Sequence, residues 1–148
     1  IGDRGETLES FAFTQVKIGG PLEHGALKPR FDSERVRVQQ VRATEMKPED
    51  VAWNFRTTLP GFRKVATMRR QATPETPESL HVVFSDGLAS ISVFIEPGGS
   101  GDEAEAQATV GPVNVYRRQL GAHRLVVMGE VPALAVKRLG DGIERRRK

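Results

Sequence analysis

The chain has 148 residues, 38% of them hydrophobic, 28% charged and 6% aromatic, with 15 glycines, 9 prolines and no cysteine, which suits one ordinary globular domain or one domain with an appendage. No apolar run of roughly 18 or more residues occurs, which excludes a transmembrane helix, and the missing cysteines exclude disulfides, thiolate zinc sites, iron–sulfur clusters and cysteine nucleophiles. The net charge of +3 belongs to residues 137–148, where Lys137, Arg138, Arg145, Arg146, Arg147 and Lys148 face only Asp141 and Glu144, leaving 16 basic against 17 acidic residues in 1–136; a nucleic-acid binder would spread its basic residues over a face of the fold.

The sequence opens on Ile1 with no signal-peptide pattern, so it reads as a processed chain or an excised piece. Asp3-Arg4-Gly5-Glu6 reads as a hairpin turn into a strand over 7–18, with Phe11 and Phe13 on one face and Leu8, Ala12, Val16 and Ile18 on the other. A hairpin turn needs a strand before it, and that strand is expected in a domain upstream. Gly19-Gly20-Pro21 stops the strand, and Val36, Val38 and Val41 alternate with Arg35, Arg37 and Gln39 as a half-buried strand or an extended linker. Charges dominate 42–50, which places the boundary of the self-sufficient domain near 45–50.

From there the signals are regular. A short strand over 51–56 carries Trp53 and Phe55, and Leu59-Pro60-Gly61-Phe62 has Pro and Gly where a type II turn needs them. Strands follow over 64–72, 79–84 and 88–96, the last two joined by Ser85-Asp86-Gly87 with Gly where positive φ is required. In the last, Ala89, Ile91, Val93 and Ile95 share one face and Leu88, Ser90, Ser92 and Phe94 the other, the pattern of a central strand covered on at least one side. Residues 97–104 read as a flexible loop tip, and strands over 113–119 and 124–129 as a hairpin. Glu130-Val131-Pro132 opens a helix with Val136, Leu139 and Ile143 on its apolar side. Gly140 and Gly142 each weaken it by about 1 kcal/mol relative to Ala. The expected fold is α+β: an antiparallel sheet of five or six strands with one C-terminal helix packed on it.

The residues show little sign of catalysis. His24, His81 and His123 lie in three segments without the spacing that presents two imidazoles to one metal. A Ser/His/Asp nucleophile would have to be assembled from Ser85, Asp86 and His81 without a nucleophile elbow. Gly98-Gly99-Ser100-Gly101 is followed by Asp102, Glu103 and Glu105, which would repel a phosphate. The expectation is a non-enzymatic chain with no catalytic, metal or cofactor site. The basic end reads first as a complement to a helix dipole and second as a contact for an anionic surface. Trp53, Leu59, Pro60 and Phe62 cluster near the domain start, and Trp is a favoured interface anchor, although a lone Trp is more often core. Ser85-Asp86-Gly87 is a turn first and a binding epitope second.

Trp53 with Leu59-Pro60-Gly61-Phe62, Arg69-Arg70, Ser85-Asp86-Gly87-Leu88 leading into Ser90-Ile91-Ser92-Val93, and Gly129-Glu130-Val131-Pro132 before Ala135-Val136-Lys137-Arg138 together resemble the C-terminal domain of the RseB/MucB family. Gly5-Glu6-Thr7-Leu8-Glu9 with Phe11 is similar to the last hairpin of that family's larger, LolA-like N-terminal domain. The resemblance implies a remnant of that domain plus a linker in residues 1–46 and the C-terminal domain in 47–148. It implies a periplasmic, Gram-negative, non-enzymatic negative regulator of an extracytoplasmic-function sigma factor in the envelope stress response. Such a regulator binds the periplasmic part of a transmembrane anti-sigma factor and shields it from regulated proteolysis, with no nucleic acid as partner. Lipid or lipopolysaccharide would bind mainly through the missing N-terminal domain, and a periplasmic lipid-binding sensor is the alternative reading. The expected partner contacts are the two turns, Leu59 and Phe62 with Trp53 beside them, and Ser85, Asp86 and Leu88. The Gly/Glu/Ala-rich stretch over 97–110 looks particular to this chain.

Overall fold

The computed structural model describes residues 10, 12–14, 16, 18–21, 23–27, 42–71, 73, 75–99 and 104–146. The chain divides into two compact units, residues 1–40 and 41–148. Of the first, the described part holds one 3-10 turn, His24–Leu27. The hairpin turn over 3–6, most of the strand expected over 7–18 and the alternating stretch over 35–41 lie outside the described residues. Residues 10, 12–14, 16 and 18 belong to no strand.

The second unit is built on a seven-stranded antiparallel sheet. Its strands are β1 (Arg42–Glu45), β3 (Arg63–Gln71), β4 (Ser79–Ser85), β5 (Ser90–Pro97), β6 (Ala106–Val110), β7 (Val113–Leu120) and β8 (His123–Gly129). They lie in the order β1-β3-β4-β5-β8-β7-β6, which puts β5 in the middle as its two apolar sets predict. A separate two-stranded sheet pairs β2 (Trp53–Phe55) with β9 (Ile143–Arg145), and one helix, α1 (Ala133–Asp141), precedes β9. The sequence signals suggest one sheet of five or six strands, and the described residues form nine strands in two sheets; β1, β6 and β9 are the additions, short and with side chains mostly polar or exposed. Their alternation is too weak to stand out from a loop. The charged stretch 42–50 becomes β1 and a 3-10 turn at Pro48–Asp50, and the Gly/Glu/Ala-rich stretch 97–110 ends as β6.

The α1 helix is shorter than its apolar spacing suggests. It stops at Asp141, where the Gly142 N–H donates to the carbonyls of Gly140 and Leu139, and Ile143 is buried as the first residue of β9 instead of the last turn of the helix. The two glycines have a packing purpose beside their propensity penalty. A Cβ on Gly140 would stand 2.5 Å from the Tyr116 ring, and one on Gly142 would collide with the Thr57 side chain. Only bare backbone lets α1 lie this close to β7 and lets the chain turn into β9.

Both α1 and the β2–β9 pair sit on one face of the sheet. Their Trp53, Val136, Leu139 and Ile143 join Val82, Phe84, Ile91, Val93, Ile95, Tyr116, Leu125 and Val127 in a single buried core. Three inward residues of β7 fasten this layer. The Asn114 amide donates to the Val131 carbonyl (2.8 Å), the Tyr116 hydroxyl to Asp141 Oδ1 (2.6 Å) and the Arg118 guanidinium to the Ile143 carbonyl (2.6 Å). Alternate positions on one strand thus pin the entry of the helix, its last residue and the start of β9.

Candidate functional site

The Leu59–Phe62 turn forms as its sequence dictates: the Phe62 N–H donates to the Leu59 carbonyl (3.0 Å), and Gly61 takes φ +79° at the position where type II geometry needs it. The Ser85–Leu88 turn is held by its own side chains. Asp86 Oδ1 accepts from the Leu88 and Ala89 amides (2.9 and 2.8 Å), and Ser85 Oγ donates to the Ala89 carbonyl (2.8 Å). The hydrogen bond from the Ala89 amide, then that from Leu88, holds the Asp86 carboxyl below its ordinary range.

The two turns, 24 positions apart in the chain on the count from Phe62 to Asp86, are neighbours in space: a Cβ on Gly61 would lie 3.7 Å from Asp86 Cβ. Around them open two recesses that share Leu59 and Phe62. The first, of about 260 Å³, is walled by Phe55, Phe62, Phe84 and Leu139, with Arg63 and Lys64 at its rim. The second, of about 470 Å³, lies between the two turns and α1, against Pro60, Val131, Leu134 and Ala135, with Asp86, Glu130 and Arg138 as its charged groups. Leu134 is 66% exposed and Leu88 fully so. These are apolar walls with charged rims and no converging acid/base pair, an arrangement suited to receiving apolar side chains of a partner.

Of the expected contact residues, Leu59, Phe62 and Asp86 line the second recess, while Ser85 braces the turn from a half-buried position and Leu88 stands in solvent. Trp53 belongs to the interior: it is buried and meets the His123 ring edge-on at 5.1 Å between centroids. Sequence reasoning did not single out Leu134, Arg63 or Lys64. The signal available was the position of Leu134 on the polar side of an otherwise amphipathic helix, an apolar residue where α1 faces water.

Elsewhere, Lys137 bonds both Glu105 (3.2 Å) and Asp141 (3.1 Å) and lies over the Tyr116 ring. Burial alone would raise the Asp141 carboxyl, but the hydrogen bonds from Tyr116 and Lys137 hold it below its ordinary range. This cluster fastens α1 to β7. Among the described residues no group of three or more His, Asp or Glu could hold a metal ion, and no helix is long and apolar enough to cross a membrane.

Known proteins resemble the chain in sequence and fold. The sequence profile of the MucB/RseB C-terminal domain matches residues 47–144. The sigma factor AlgU regulatory protein MucB of Pseudomonas aeruginosa is 29% identical over 97% of this chain and 45% of its own length. Among solved structures, the Pseudomonas aeruginosa MucA/MucB complex superposes at a TM-score of 0.68 with 28% identity, over 99% of this chain and 48% of that one. MucB in complex with MucA(peri) gives 0.57 with 32% identity, over 67% of this chain and 38% of that one. The chain therefore spans less than half the length of these relatives, and it belongs to the MucB/RseB C-terminal domain family.

Proposed function

We propose that the protein is a non-enzymatic negative regulator of an extracytoplasmic-function sigma factor. It acts in the periplasm, where it binds the periplasmic part of a transmembrane anti-sigma factor and shields it from regulated proteolysis. The observation that carries this reading is the likeness, over nearly the whole chain, to a MucB solved together with MucA. The paired turns support it physically: Leu59, Phe62 and Asp86 line an apolar recess, Ser85 and Leu88 belong to the same turn as Asp86, and Trp53 lies apart in the interior against His123. In this reading residues 1–46 are the end of a LolA-like domain and a linker. Shielding needs only occupancy, since a partner segment ordered against this surface is withdrawn from a protease that requires it extended.

The lipid-sensor reading draws on the same two recesses, of about 260 and 470 Å³, but both open to solvent and carry charged groups, Arg63 and Lys64 in one and Asp86, Glu130 and Arg138 in the other, where a lipid chain needs an enclosed apolar cavity. It therefore stands second. Calorimetric titration of the chain with the periplasmic part of its cognate anti-sigma factor, against a charge-matched peptide, separates the two. Saturable binding to the first alone is expected, together with slower cleavage of the bound segment by its protease. Absence of binding by the folded chain would overturn the reading.

A further inference from the structure

The two recesses form one groove with a direction. They meet at Leu59 and Phe62, and α1 runs along both, contributing Leu134, Ala135 and Arg138 to the second and Leu139 to the first. Residues 135 and 139 are one helical turn apart on the same side of α1. The charges are not evenly spread. At the first recess both charged rim groups, Arg63 and Lys64, are basic and exposed, and among the described residues neither has a carboxylate within ion-pair distance. The Lys64 ammonium lies over the Phe55 ring, 5.7 Å from its centroid. Arg138 lines the second recess and is likewise exposed, with no ion pair among the described residues. The acidic groups, Asp86 and Glu130, lie in the other recess together with Arg138; Asp86 Oδ1 accepts from the amides of its own turn, which holds that carboxylate in place. The groove thus carries two basic groups and no acidic one at the Arg63/Lys64 end, and two acidic groups against one basic at the Asp86/Glu130 end.

We propose that this groove takes a segment of the partner carrying two bulky apolar side chains, one for each recess. A carboxylate flanks the anchor that enters between Phe55 and Leu139 and meets Arg63 and Lys64. This rests on the anti-sigma reading and adds the chemistry and direction of the bound segment. The apolar anchors supply the burial, and the charges fix which end of the segment goes where, because an inverted segment would set its carboxylate against Glu130. Unpaired basic groups on the rim act mainly through encounter rate and salt dependence.

The test measures fluorescence anisotropy of the labelled periplasmic part of the cognate anti-sigma factor titrated with the 148-residue chain. Four forms are compared: wild type, Arg63→Glu/Lys64→Glu, Leu134→Glu and, as a control on the other face of the sheet, Arg117→Glu. All substituted side chains are exposed, and circular dichroism with thermal melting checks that each form is folded. The double charge reversal should raise Kd about tenfold or more and flatten its dependence on salt. Leu134→Glu should raise it comparably, and Arg117→Glu should leave it unchanged. Wild-type binding that both groove variants keep would overturn the groove while leaving the anti-sigma reading in place. A folded wild type that does not bind would overturn both. Binding to phosphatidylglycerol vesicles that is lost with the same residues, in place of peptide binding, would assign the groove to a lipid surface and overturn the peptide.

Discussion

The two faces of the seven-stranded sheet are made by the same strands and the same alternation, yet they have opposite fates. Residues 125 and 127 of β8 are wholly buried beneath α1, and residues 126 and 128 between them stay half-exposed. Along β5, Ile91, Val93 and Ile95 vanish into the core while Ser92, Phe94 and Glu96 stay half-covered on the other side. The uncovered face mixes Val83, Phe94, Val126 and Met128 with Arg70, Arg117, Arg124 and Glu96. A sheet of antiparallel strands tolerates such a face, because its backbone is already hydrogen-bonded and its apolar residues are shaded by long charged neighbours. Apolar character alone does not mark the core here. What decides is the second layer, and that layer is placed by three polar residues of β7.

The sharpest way to break this contrast is a pair of adjacent truncations. Leu125→Ala should cost about 2–5 kcal/mol, and Val126→Ala less than about 1 kcal/mol, read from urea unfolding midpoints at equal m-value. Equal losses would mean that the second face is covered too. Gly140→Ala tests the layer contact. Helix propensity alone would stabilise by about 1 kcal/mol, but the added methyl meets the Tyr116 ring at 2.5 Å. A net loss of about 1–3 kcal/mol is therefore expected in the same measurement.

The smallest effect comes from the uncovered face itself, where His81 stacks on Phe94 at 4.2 Å and its Nε2 bonds Ser92 Oγ at 3.1 Å. Burial first and Arg70 second hold this imidazole below its ordinary value of 6.5. The unfolded chain then takes up the proton more readily than the folded one. Stability is fully present above pH 6.5 and falls as the pH drops through the interval beneath it. Thermal midpoints at pH 7.5 and 5.5 should differ in that direction, and the difference should shrink in His81→Gln.

How far the sequence carries the fold depends on the strength of each local signal. β3, β4, β5, β7 and β8 have long alternating runs closed by turns with Gly where φ is positive, at Gly61, Gly87 and Gly121, and all are legible. The Ala106–Val110 strand is not, because its short, mostly exposed run is defined by pairing with β7 and not by its own pattern. Ile143 misleads, since its i+7 place after Val136 fits a helix that the bare backbone of Gly142 ends first. The two turns of the candidate site are each readable. Their adjacency is not, and Arg63, Lys64 and Leu134 become a rim only once α1 has been laid beside Phe62. Asn114, Tyr116 and Arg118 look like ordinary strand residues until their partners at Val131, Asp141 and Ile143 are in place.

The pairing of Trp53 with Arg145 and of Phe55 with Ile143 has a consequence for how the domain comes into being. A chain made from its N-terminus outward carries β2 without its mate while about ninety residues are added, which makes this the most non-local strand pairing among the described residues. The hairpins of the main sheet are local by comparison, and Trp53 and Phe55 meet their strand partners only through β9. The last strand therefore works as a clasp: removing it would unpair β2 and open the common core at Ile143.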